Sequence, residues 1–325
     1  MGSMCPVTVA GVVQAVSVKF VPSAVVVRVR KPLLLAFVIA LASVAGYASD
    51  TPTAFLFALI PLAYTIPMFV WLDQLEPEPR AMRWNAFLWG AGISTLVAGI
   101  ANEFTAATAG LAAALVISAP VVEEIMKSLG ILGAAKRHQI DSPLDGAVYA
   151  GYVGLGFAAV ENVIYFSDAI TDDELGLVFF LRGLFSPLAH PYFTLWVGLA
   201  IGTAVHKGRS RRAAAVRGLV PAILLHASWN AAGVNEIFAV LLLGHIVLFF
   251  VMVRRLRRMR RNEIALVRRR LPQLAFAHNV SPVELAAYGD IRASRRLRRQ
   301  LPRHERAAFD ERRVALTKLA LRHPG

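Results

Sequence analysis

The chain has 325 residues, 56% of them hydrophobic and 17% charged, with mean hydropathy +0.54. An average soluble domain carries about 25% charged and about 45–50% apolar residues, and a soluble globule this apolar would expose large greasy patches. The composition excludes that class and predicts an all-α, polytopic integral membrane protein, while the single cysteine, Cys5, excludes a disulfide framework and a cysteine-only zinc site. The net charge of +14 suggests a nucleic-acid footprint until it is located: residues 254–325 hold 20 Lys/Arg against 6 Asp/Glu, and residues 1–253 hold 15 of each. The basicity belongs to a tail, and the body is neutral.

A membrane-crossing helix needs about 20 apolar residues. Eight stretches qualify, at 32–48, 54–72, 84–102, 109–134, 143–167, 176–205, 214–233 and 236–253. The first follows Arg28, Arg30 and Lys31 but has no convincing cleavage site, so it reads as a span and not as a signal peptide. The sixth is too long for one straight span, and Pro187 and Pro191 near its middle predict a kink or break. Three regions result: an N-terminal segment 1–31, a transmembrane bundle 32–253 with its motif-bearing core at 109–235, and a tail 254–325.

The loops alternate in positive charge. Those near 49–53, 103–108, 168–175 and 234–235 contain no Lys or Arg. The other set carries the cations: Lys19 to Lys31, Arg80 and Arg83, Lys136 and Arg137, Lys207 to Arg217, and then the tail. The positive-inside rule places the cationic loops and both termini of a plasma membrane protein in the cytoplasm, which requires an even number of spans, and eight fits. In the tail, Ser281-Pro282-Val283-Glu284 predicts a helix start with a capping box, and His304 to Leu321 reads as an Arg-rich amphipathic helix. The expectation is a solvated helical tail held against anionic lipid, at about 1 kcal/mol per basic residue near the surface. No stacking aromatics accompany the arginines, which argues against nucleic acid.

In a body so poor in charge, ionisable residues inside the spans are the informative ones, because a charge at a helix centre costs about 2.5–3.5 kcal/mol on insertion scales. They are Glu123, Glu124, Lys127, Glu161, Arg182, His190, His226 and His245. Lys127 stands four residues after Glu123 and three after Glu124, so it neutralises either carboxylate and leaves the other unpaired. A carboxylate so placed suits a general base, and a structural ion pair is the competing reading. Gly146, Ala150, Gly154 and Ala158 form a small-residue row for close helix packing, and Glu161 falls on nearly the same face, as a site residue or as the buried partner of Arg182. His190 and His226 lie near the middle of their spans, at the depth of Glu123 and Glu124; His245 has no evident partner and reads as structural. Two imidazoles, a carboxylate ligand and a spare carboxylate base suit a hydrolytic zinc site. No HExxH, Gly-x-Ser-x-Gly or Walker A motif is present.

Four motifs in order carry a family resemblance. Pro120-Val-Val-Glu123-Glu124-Ile-Met-Lys127 resembles the EExxK motif of the PrsW intramembrane metalloproteases. Asp145-Gly146 followed by Gly154-Leu-Gly-Phe157-Ala-Ala-Val-Glu161-Asn162 is similar to their second motif, and His190-Pro-Tyr-Phe-Thr194 and His226-Ala-Ser-Trp-Asn230 to the last two. The resemblance covers roughly residues 115–235. It implies a membrane-embedded, metal-dependent endopeptidase, distantly similar to the CAAX prenyl proteases, that cleaves a membrane-anchored protein such as an anti-sigma-factor-like regulator. It also implies roles. Glu123 and Glu124 would be catalytic, one as base for the attacking water; Lys127 belongs to the same catalytic motif. His190 and His226 would ligate a divalent metal, zinc by donor type, with Glu161 as a third ligand or polar support. Asn230 would bind the oxyanion or orient the water. A proton-coupled transporter and a non-catalytic scaffold are the rival readings of the same cluster.

Overall fold

In the computed structural model the described residues are 28–137, 139–232 and 238–322. Cys5, the start of the cationic run Lys19 to Lys31 as far as residue 27, His138, the loop at 234–235 and His323 lie outside them. Every element among the described residues is helical, and the chain divides into two compact units.

The larger unit comprises 28–73 and 78–257. Its helices are α1 Lys31–Tyr47, α2 Ala54–Leu72, α3 Arg80–Ala109, α4 at 111–136, α5 Pro143–Thr171, α6 at 175–185, α7 Ala189–His206, α8 Arg211–Ala232 and α9 Phe238–Ala277, whose C-terminal part belongs to the other unit. Within the described residues the eight expected spans fall on helical stretches, but fewer of them are long and apolar enough to cross a membrane. By length and apolarity, five stretches among the described residues suffice to cross a membrane: Ala54–Leu72, Arg80–Ala109, Pro143–Thr171, Leu175–His206 and Ala239–Phe276. The helix Lys31–Tyr47 is apolar but has only 17 residues. The predicted break in the sixth span lies at Ser186–Leu188, between α6 and α7. Pro191 does not break α7, because it sits in the first turn, where backbone N–H groups have no intrahelical partner.

The long helix α5 is the axis of the unit. It starts with a capping box: Ser142 Oγ accepts from the Asp145 N–H at 3.2 Å, and Asp145 Oδ2 accepts from the Ser142 N–H at 2.8 Å, with Pro143 in the first turn. Most of α5 is buried, because its small-residue row lets α7 approach backbone to backbone. A Cβ on Gly146 would collide with the Gly198 carbonyl, and one on Gly154 would lie 2.7 Å from Pro191 N and 3.0 Å from the His190 carbonyl carbon. Close approach of this kind is how helices associate in lipid, where hydrophobic drive between them is absent. This seam sets the depth and rotation of His190. The helix α4 follows Gly110, whose φ of 90° suits glycine. Its first part contains a π-helical turn, Ala114–Ser118, in which the Leu115 carbonyl accepts from Asn230 Nδ2 of α8 at 2.8 Å.

The smaller unit joins 74–77 to 258–322. After the basic end of α9 come α10 Pro282–Tyr288, α11 Ile291–Gln300 and α12 Arg306–Arg322. The predicted capping box at Ser281 is present, with Ser281 Oγ accepting from the Glu284 N–H and Glu284 Oε2 accepting from the Ser281 N–H at 3.0 Å. The tail is more than a row of solvated helices. Val267, Leu271, Tyr288, Leu301, Phe309 and Leu316 form a core that also takes in Leu75, whose carbonyl accepts from Arg313 Nη1 at 2.9 Å. Lys318 Nζ lies 2.9 Å from Glu76 Oε1. Burial, together with the nearby charge of Arg295, holds the Arg313 guanidinium below its usual range.

Candidate metal centre

Four helices of the larger unit deliver their ionisable side chains to one place. Lys127 of α4 is fully buried, and its ammonium uses all three protons: it donates to Glu123 Oε2 at 3.1 Å, Glu124 Oε1 at 2.9 Å and His190 Nδ1 at 3.1 Å. The Phe157 ring of α5 closes over it, 3.9 Å from Nζ to the ring centre. The expectation that Lys127 serves one carboxylate and leaves the other unpaired is therefore corrected. Positions three and four residues back lie on one helix face, and the long side chain reaches both.

The two adjacent carboxylates differ in surroundings. Glu124 is saturated: besides Lys127, its Oε2 accepts from Thr194 Oγ1 at 2.9 Å, and its Oε1 accepts from His226 Nδ1 at 3.1 Å. Glu123 instead lines a cavity of about 430 Å³, with Glu161, His190 and His226 also in its wall.

The hydrogen bonds assign the imidazole tautomers. His226 donates Nδ1–H to Glu124, so Nε2 carries the lone pair, and it lies 3.8 Å from Glu123 Oε2. His190 donates Nε2–H to Glu161 Oε2 at 2.6 Å, so Nδ1 carries the lone pair that Lys127 addresses; that nitrogen lies 3.9 Å from Glu123 Oε2. Phe193 stacks on His226 with centroids 4.8 Å apart and planes at 17°, and the two imidazoles are 5.3 Å apart, nearly perpendicular. Glu123, His190 and His226 each bring a ligand atom within 4.8 Å of the others. The donor set fits a catalytic divalent metal: two imidazole nitrogens and one carboxylate, each imidazole held on its far nitrogen by a second carboxylate, as ligating histidines usually are. The Lys127 ammonium shares two of these atoms, Glu123 Oε2 and His190 Nδ1, and must release them to an ion.

The other expected residues are placed as follows. Glu161, expected as a third ligand or a polar support, stands outside the three-residue cluster, and its Oε2 accepts from His190 Nε2 at 2.6 Å and from Arg182 Nη2 at 2.5 Å. Asn230 lines the cavity, with one of its two N–H donors engaged by Leu115. His245 has a partner after all, since its Nε2 is 3.0 Å from Ser228 Oγ, and Trp229 packs edge-on against its ring. The sequence alone assigns no role to Thr194, Phe193 or Phe157. The signal for Thr194 is its place one turn after His190, on the face that meets Glu124.

The profile of the "PrsW family intramembrane metalloprotease" matches residues 78–255, a range that holds every side chain of this cluster. "Protease PrsW" of Oceanobacillus iheyensis is 27% identical over 211 residues, covering 62% of this chain and 94% of its own length. "Protease PrsW" of Geobacillus kaustophilus is 28% identical over 145 residues, covering 43% and 61%, and that of Clostridioides difficile 31% identical over 185 residues, covering 53% and 75%. No solved structure matches. A match across more than half of the chain, on the helices that build the cluster, means that the chain belongs to the PrsW family of intramembrane metalloproteases.

Proposed function

We propose that this membrane protease is a metal-dependent endopeptidase that cleaves a membrane-anchored protein, of the anti-sigma-factor-like kind, within or at the edge of the bilayer. The observation that carries the reading is the convergence of Glu123, His190 and His226 on one cavity, with both imidazole lone pairs directed by carboxylates behind them. These three residues would hold the ion, zinc by donor type. The ion would supply Lewis-acid polarisation of the peptide carbonyl and of a water.

The chain's own residues do the rest. Glu123, the one of the adjacent pair that lines the cavity, would hold the ion through Oε2 and take the attacking water's proton on its other carboxylate oxygen as the water adds to the scissile carbonyl. Glu124 and Thr194 keep His226 in its tautomer. Lys127 balances the carboxylate charge. The amide of Asn230, at the cavity wall, stabilises the oxyanion with its remaining donor. The position of Lys127 supports a second reading, in which the ammonium stays on Glu123 and His190 and the carboxylate activates water without an ion.

The alternation of cationic loops supports a plasma membrane orientation with both termini cytoplasmic. The exposed face of α11, with Arg292, Arg295, Arg296 and Arg299 at helical spacing, supports contact of the tail with anionic lipid.

The test is the metal content of the purified protein beside cleavage of a co-expressed single-pass substrate. About one ion per chain, lost in His190→Ala and His226→Ala together with cleavage, and cleavage abolished by a chelator and restored by zinc, is the expected result. Full cleavage by metal-free protein overturns the metal reading, and full cleavage by Glu123→Ala and His226→Ala overturns the site.

A further inference from the structure

Arg182 has no part in the mechanism so far. It sits in the π-helical turn Phe179–Phe185 of α6, beside Leu181, Phe185 and Ser186, which wall the cavity. One turn of α5 grips it. Nη2 donates to Glu161 Oε2 at 2.5 Å, Nε donates to Asn162 Oδ1 at 3.0 Å, and the guanidinium lies 3.5 Å from the centre of the Tyr165 ring. A planar guanidinium held by two bonds and a stacked ring has one orientation. The Glu161 oxygen that receives it is the same atom that receives His190 Nε2–H at 2.6 Å. One carboxylate oxygen thus joins the wall of the cavity to an imidazole of the metal cluster.

We propose that Arg182 is a positioning residue: acting through Glu161, it holds His190 with its Nδ1 lone pair toward Glu123 and His226, so that the site binds metal well only while α6 is seated. The proposal rests on the metal reading above. Without the guanidinium, Glu161 has lost its second anchor and rotates about its own side-chain torsions, and the imidazole it steers rotates with it. The segment that carries Arg182 is short, and it is seated on its inner side by Phe179 against Phe57 and Phe166. Leu177, Phe180 and Leu184 are exposed at 61%, 54% and 56%, and only the turn Ser186–Leu188 separates α6 from α7. Apart from Arg182, a polar tie to its neighbours is the hydroxyl of Tyr64, which donates to the Gly183 carbonyl. A substrate segment that pushes α6 aside must break the Arg182–Glu161 bond, and reseating restores it around the bound chain.

The experiment measures zinc affinity of the full-length protein by chelator competition, with kcat and KM on a single-pass substrate, for the parent, Arg182→Gln, Arg182→Lys, Glu161→Gln and the Arg182→Gln/Glu161→Gln pair. Loss of a group that orients a ligand typically costs about 10–100-fold in metal affinity, and Arg182→Gln is expected to fall in that range, with Arg182→Lys recovering part of the loss. Glu161→Gln loses as much, and the pair loses no more than Glu161→Gln alone, because Arg182 acts through that carboxylate. A merely structural arginine predicts additive losses. Parent-like zinc affinity in Arg182→Gln, or additive losses in the pair, overturns the proposal. A parent that binds no zinc, or His226→Ala that binds it unchanged, overturns the metal reading instead, so the two failures are distinct. Should Arg182→Gln fail to fold, Arg182→Lys and Glu161→Gln decide by the same readout.

Discussion

Lys127→Met is the most informative single change, because one ammonium serves two adjacent carboxylates and an imidazole. Methionine keeps much of the volume under Phe157 and removes three hydrogen bonds and a buried charge. Removing one partner of a buried ion pair costs about 3–5 kcal/mol, since the remaining charge is stranded. Here two carboxylates are left facing each other, 3% and 0% exposed, so the upper end, about 5 kcal/mol, applies. Adding Glu124→Gln removes one stranded charge and is expected to return about 2 kcal/mol or more. Glu124→Gln alone leaves Lys127 paired with Glu123 and costs on the scale of a buried hydrogen bond, about 1–3 kcal/mol. Unfolding in mixed micelles by SDS titration, in chelator, measures all three proteins. The same titration in saturating zinc should shrink the Lys127→Met deficit, because an ion on Glu123, His190 and His226 brings back positive charge and stabilises the folded state by mass action. A Lys127→Met protein within about 1 kcal/mol of the parent in chelator, far short of the cost expected for a stranded buried charge, or a double variant no more stable than the single one, refutes the shared-ammonium account.

Two further outcomes follow from the packing. Gly154→Ala forces a Cβ to within 2.7 Å of Pro191 N, so α7 must shift; cleavage and zinc binding are expected to drop together, while Gly99→Ala, where nothing lies within 4 Å of the added Cβ, leaves both unchanged. In the tail, amide exchange of α11 in nanodiscs is expected to slow when phosphatidylglycerol replaces a neutral lipid. Replacing Arg292, Arg295, Arg296 and Arg299 with Gln removes that lipid effect, at about 1 kcal/mol per residue, and exchange indifferent to lipid charge in the parent refutes the contact.

Much of the site is legible in the amino-acid sequence, because charge is scarce in the spans. Glu123, Glu124, His190 and His226 group by depth alone. The division of labour between Glu123 and Glu124 is not legible there. Adjacent residues on a helix point about 100° apart, and which of them meets solvent depends on where α7 and α8 deliver Thr194 and His226. The spacing around Lys127 allows two partners, so a reading that grants it one is too narrow. The small-residue row turns Glu161 inward and its pairing with Arg182 is among the sequence's own readings; what the apolar run hides is the π-helical turn in α6 that delivers the guanidinium. His245 shows no partner along its own helix because Ser228 lies on another. In the tail the capping box is plain from four residues, whereas the bond from Arg313 to the Leu75 carbonyl joins positions 238 residues apart, a distance over which pattern says nothing.

The seam between α5 and α7 has a consequence for temperature. Contact between glycine backbones in lipid draws on dispersion and not on expulsion of water, so it should change little between cold and warm conditions. The core around Val267, Leu271 and Phe309 rests on hydrophobic burial, which weakens on cooling. Two parts of one chain therefore have different thermal habits: chilling should loosen the tail core while the helices that aim His190 keep their grip, and the protease would lose the order of its smaller unit well before the arrangement of its site.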